Sequence, residues 1–94
     1  MNKEMIKLLK DLREFAANRT PLNLESLKNT VKQCGYSVVA PKGRIGVFDD
    51  LMVFPDMYSF NTICVIHYTY VNENNILITS VTNSRIKELD FVLY

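Results

Sequence analysis

The chain has no tryptophan, one histidine, two cysteines, three glycines and three prolines in 94 residues. Each shortage narrows the chemistry. With one histidine, general acid–base work near neutral pH falls first on His67. Cys34 and Cys64 form no Cys-x-x-Cys pair and no disulfide framework, so both read as small core residues in a reducing compartment. One histidine without paired cysteines also argues against a metal site, and no cofactor is expected. The few glycines and prolines leave no low-complexity tract, linker or repeat. No apolar run approaches the roughly 20 residues that span a bilayer. Charges are threaded through the first apolar positions (Lys3, Glu4), unlike a signal peptide. A soluble, cytoplasmic protein without membrane attachment is the expectation.

What the chain does contain is a globular composition, 48% hydrophobic and 22% charged. Its length predicts a single domain over residues 1–94. The net charge of +1 hides an asymmetry: residues 1–47 carry nine Lys/Arg against four Asp/Glu, residues 48–94 two against six. That polarity fits an anionic partner for the first half or the solvated surface of a helical pair. Asparagine outnumbers alanine nine to three, a composition associated with AT-rich bacterial and phage genomes.

The last third carries the clearest pattern. Residues 60–71 are β-branched and aromatic without Gly or Pro, which predicts a strand. Asn72, Glu73, Asn74 and Asn75 supply turn chemistry. Residues 76–82 form a second strand, Asn83-Ser84 a tight turn, and residues 85–94 a third strand. Tight turns set Val71 opposite Ile76 and Thr82 opposite Arg85. The two-residue period then puts Thr69–Ile78 and His67–Ser80–Lys87 on one face, and Ile66–Val81, Tyr68–Thr79 and Tyr70–Leu77 on the other. A helix over residues 84–93 competes, because Ile86, Leu89 and Leu93 also have helical spacing.

The first half predicts two helices. Met5, Leu8, Leu9, Leu12, Phe15 and Ala16 form one apolar stripe, and Pro21 ends that helix near Arg19. Asn23 is a good N-cap for the second, Leu22 and Leu27 have hydrophobic-staple spacing, and Gly35 sits at the C-terminal position. The short link predicts an antiparallel helical hairpin over residues 1–35. Residues 36–40 and 45–48 read as strands around a Pro41-Lys42-Gly43-Arg44 turn. Asp49-Asp50 reads as a further turn, and residues 51–54 as a short strand broken by Pro55. The fold expected is α+β: the hairpin packed on one face of a five- to six-stranded antiparallel sheet over residues 36–94.

Three functional readings follow. The leading one is a small non-enzymatic protein-binding module, such as an inhibitor, adaptor or immunity-type protein of bacterial or phage origin, able also to form a homodimer. Its interface would be the second sheet face or the apolar segment with Leu51, Met52, Phe54, Met57 and Tyr58, since Met adapts to irregular surfaces and aromatics anchor. The second is a winged-helix-like nucleic-acid module over residues 23–46. Lys28, Asn29, Lys32 and Gln33 would face bases, and Lys42 and Arg44 phosphates. Only two helices precede the wing, and a pI near 7.7 is low for a DNA binder. The third is a small ribonuclease, with His67 moving the proton and Lys87 and Arg85 meeting phosphate charge. Asp49, Asp50 and Asp56 complete no nuclease motif and read as turn formers.

Overall fold

The computed structural model describes residues 2–40, 48–56, 58 and 62–82. Helix α1 spans Lys3–Ala17. Strand β1 is the two-residue Leu22–Asn23 and runs directly into helix α2, Leu24–Gln33. Strands β2 (Ser37–Val39), β3 (Phe48–Phe54), β4 (Cys64–Tyr70) and β5 (Asn75–Thr82) follow. All pairings are antiparallel, in the order β1-β5-β4-β3-β2. The architecture is therefore α+β, with two helices and a five-stranded antiparallel sheet.

Both helices are bounded by side chains that satisfy their end groups. Asn2 Oδ1 accepts from Met5 N–H at 2.9 Å, and Asn23 Oδ1 accepts from Ser26 N–H at 3.0 Å. Asn2 also donates from Nδ2 to the Cys34 carbonyl at 2.6 Å and from its backbone to the Tyr36 hydroxyl at 2.8 Å. One residue thus caps α1 and ties it to the end of α2. Both C-termini close in the Schellman pattern. Gly35 has φ +95°, with Gly35 N–H bonded to Lys32 O and Tyr36 N–H to Val31 O. Arg19 takes the same left-handed position after α1 (φ 51°), with Arg19 N–H to Ala16 O and Thr20 N–H to Phe15 O. Helix α1 therefore stops two residues before the predicted end.

The core is one cluster. Met5, Leu9, Leu12 and Ala16 of α1 and Leu24, Leu27 and Val31 of α2 join Leu51, Val53, Cys64, Ile66, Tyr68, Ile76, Ile78 and Val81 of the sheet. The four α1 residues belong to the stripe of the sequence pattern, and its other two members, Leu8 and Phe15, pack partly buried against the cluster. The sheet half differs from expectation in three respects.

First, β1 was not anticipated. Leu22 pairs with Ile76 and Asn23 with Asn75, and Leu24 N–H bonds Asn74 O at 3.0 Å. The segment between the helices is an edge strand as well as a cap. Second, Asp49 and Asp50 lie inside β3, paired with Tyr68 and His67, where a turn was expected. Neighbouring strands on that stretch of backbone override the turn preference of aspartate. Third, the β4–β5 register is uniform only in part. His67↔Ser80 and Ile66↔Val81 are as expected, but Tyr68 meets Ile78, Thr69 meets Leu77 and Tyr70 meets Ile76.

The shift has an energetic reason. The hairpin closes with Val71 N–H on Asn75 O at 2.9 Å, leaving a three-residue loop whose Asn72 Oδ1 accepts from Asn74 and Asn75 N–H at 3.0 and 2.9 Å. This turns Ile76 and Ile78 onto the buried face beside Tyr68. A bulge opposite His67/Tyr68 then absorbs one residue, so Val81 returns to the same face opposite Ile66. A uniform register would put both isoleucines on the other face, at about 1.5–3 kcal/mol each. The bulge forgoes about one ladder hydrogen bond, worth about 1 kcal/mol, so burial wins.

The third strand predicted over residues 85–94, its Asn83-Ser84 turn and the competing helix over 84–93 lie outside the described residues. So does the predicted 41–44 turn.

Candidate functional site

The two faces of the sheet separate by register. The face away from the core carries a cross-strand row, Val39–Met52–Val65–Thr82, with Phe54 opposite Ser37 beside it. Met52, Phe54 and Val65 are half-buried, and Val39 is 50% exposed. The next row is polar, Asp50–His67–Ser80, followed by Thr69–Leu77. The outer face is thus mixed, with its apolar half toward β2 and its polar half toward the β4–β5 hairpin.

Of the segment read as a contact surface, Met52 and Phe54 stand on this outer face and Tyr58 is 81% exposed. Leu51 is the correction: it is fully buried in the core, as is Val53. An extended segment sends alternate side chains to opposite faces, so Leu51 cannot share a contact surface with Met52 and Phe54. Met57 lies outside the described residues. Val39 and Val65 belong to the surface and were missed. Only their cross-strand pairing with Met52 reveals them.

His67 is held at both ring nitrogens. Nδ1 lies 2.5 Å from Asp50 Oδ1 and Nε2 lies 2.8 Å from Thr82 Oγ1. A carboxylate can only accept, so Nδ1 carries a proton, and in the neutral ring Nε2 accepts from the Thr82 hydroxyl. The three side chains come from β3, β4 and β5 and clip those strands together on the outer face. The pair is partly solvated, 33% and 54% exposed, which limits it to about 1 kcal/mol or less. Arg85 and Lys87, the expected cationic neighbours, lie outside the described residues. Sequence spacing pointed to Ser80 as the neighbour; Asp50 and Thr82 come from the register.

The nucleic-acid candidates divide. Lys28 Nζ is bound to Glu25 Oε1 at 3.0 Å on the same helix. Lys32 is exposed, at the C-terminal end of α2. Lys42 and Arg44 lie outside the described residues.

The buried titratable groups sit on the core side. Burial pushes the Cys64 thiol up from 9.0 to about 12. Burial, then Tyr70 and the charges of Asp49 and Asp50, pushes the Tyr68 phenol well above its usual value. Burial and then Glu4 raise Cys34. Neither cysteine is a ready thiolate. Among the described residues no three His, Cys, Asp or Glu side chains are grouped to hold a metal, and no helix is long and apolar enough to cross a membrane.

A cleft of about 420 Å³ opens at the β2 edge, lined by Lys32, Tyr36, Ser37, Val38, Val39, Phe54 and Asp56. It joins the outer face through Val39 and Phe54. In comparisons with family models, curated proteins and solved structures, the chain has no match.

Proposed function

We propose that this chain is a small non-enzymatic protein-binding module, of the inhibitor, adaptor or immunity type, that docks through the outer face of its sheet. The carrying observation is the row Val39–Met52–Val65 with Phe54 beside it, on the side opposite the core. Aromatic and Met side chains make adaptable anchors once water is excluded around them. In this reading the two helices, as an antiparallel pair, serve to shield the inner face, which leaves the outer one for a partner.

The test compares the wild-type chain with Met52→Asp. A carboxylate in the middle of the row must be desolvated on docking, so capture of the wild type's partner should fall at least ten-fold, with far-ultraviolet circular dichroism unchanged. Light scattering on both proteins reads out a second copy as partner. A wild type that stays monomeric and captures nothing that Met52→Asp loses sinks the proposal.

A second reading rests on the Asp50–His67–Thr82 arrangement, a carboxylate orienting an imidazole whose other nitrogen meets a hydroxyl. It is a small ribonuclease with His67 as the proton-transfer group. RNA cleavage by the wild type, abolished in His67→Ala, supports it; equal or absent activity in both ends it.

A further inference from the structure

We infer that the outer edge of β2, with the cleft beside it, receives an extended segment of a partner protein by strand addition, an apolar side chain entering the cleft and an acidic one meeting Lys32. The inference rests on the docking reading above and names the partner's form.

Three observations converge. Strand β2 is terminal in the sheet order, so among the described strands only β3 pairs with it. Ser37, Val38 and Val39 contain no proline, glycine or charge to blunt that edge. An unpaired strand edge presents backbone donors and acceptors that a new strand satisfies.

The cleft lies at this edge. At about 420 Å³ it falls within the roughly 300–1,000 Å³ range of ligand-sized pockets. Tyr36, Val38, Val39 and Phe54 give it apolar walls at the strand edge, which a side chain of an added strand can enter.

Charge sets the preference. Lys32 and Asp56 both line the cleft. Neither makes an ion pair among the described residues, but Asp56 Oδ1 accepts from Tyr58 N–H at 2.8 Å, and Lys32 Nζ has no such contact there. An acidic residue in the incoming strand supplies the missing partner. A second copy of this chain fits less well at this edge. A stable dimer buries about 1,200–2,000 Å², and a three-residue strand paired with itself offers little of that.

The experiment uses the full chain. Amide exchange on the free protein should show an outward-facing N–H within Ser37–Val39 exchanging fast; protection of all three means the edge is already paired and overturns the inference. Random decapeptides displayed on phage are then panned against the protein. The enriched peptides should pair an apolar residue with an Asp or Glu nearby and slow exchange at Ser37–Val39 when added as synthetic peptides.

Successive N–H groups of a strand point to opposite sides. Of Val38→Pro and Val39→Pro, one therefore removes an edge donor and leaves the β3 pairing intact. The variant that keeps the wild-type melting profile should bind at least ten-fold more weakly. Lys32→Glu should shift selection from acidic to basic peptides. Peptides that bind equally to the folded proline variant, or show no charge shift with Lys32→Glu, overturn strand addition. If those same peptides are lost with Met52→Asp, the outer-face reading stands without it.

Discussion

Cys64 illustrates how a single buried residue couples stability to pH. The residue is 2% exposed, and burial pushes its thiol up from 9.0 to about 12. A raised folded value means the native state holds a proton that the unfolded chain releases earlier. The contribution is complete below pH 9 and is lost as pH rises toward 12. Tyr68 is shifted in the same direction and adds to the loss at the alkaline end. Urea midpoints should therefore be insensitive to these two groups up to pH 9 and then fall. Cys64 accounts for about 1 kcal/mol per pH unit of that fall. Cys64→Val should flatten the first part of the decline, and an unchanged alkaline slope in that variant would refute the assignment.

At the scale of the element, the two helix ends offer a paired test. Gly35 and Arg19 occupy equivalent left-handed positions, but only glycine is unstrained there. A Cβ at Gly35 meets no atom within 4 Å, so Gly35→Ala isolates backbone strain and should cost about 1 kcal/mol. Arg19→Gly should gain about 0.5 kcal/mol, the relief of strain exceeding the entropy that glycine adds to the unfolded chain. Opposite signs in denaturant melts are the expected result. The bulge in β5 makes a sharper claim. Deleting Thr79 leaves Ile76, Ile78 and Val81 on the buried face in an unbulged register, and should change stability by no more than about 1 kcal/mol. Deleting Leu77 turns Ile76 outward and should cost at least about 2 kcal/mol. Equal effects would mean that register does not govern this hairpin.

The helices, the α1 apolar stripe, the caps of α2, the turn chemistry at Asn72 and the antiparallel pairing of β4 with β5 were legible in the sequence because each rests on near neighbours. Asn23 needs only Ser26; Gly35 needs only the turn before it. What was not legible required a strand from elsewhere. Asp50 resembles a turn residue until β4 brings His67 against it. Leu51 resembles a contact residue until the β3 register sends it inward. The outer apolar row cannot be read from any one segment, because Val39, Met52 and Val65 come from three strands.

Across the whole molecule, one core serves both helices and the sheet, so damage at its centre should be global. Ile66 is fully buried in the central strand β4, between Leu51 of β3 and Val81 of β5. Ile66→Ala should cost about 2–5 kcal/mol, transfer and cavity together. In a domain this small, whose stability is commonly about 5–15 kcal/mol, the loss should appear as one cooperative shift by circular dichroism and tyrosine fluorescence alike. Residue patterning alone determined the two helices, the α1 apolar stripe and the pairing of β4 with β5. Those preferences act over a few neighbouring residues. The tertiary structure decided which side of the sheet each strand residue faces, and with it the outer apolar row, the His67 cluster and the place of β2 at the end of the described sheet. A side chain's face depends on register, and register is set by how much apolar surface the assembled sheet and helices can bury together.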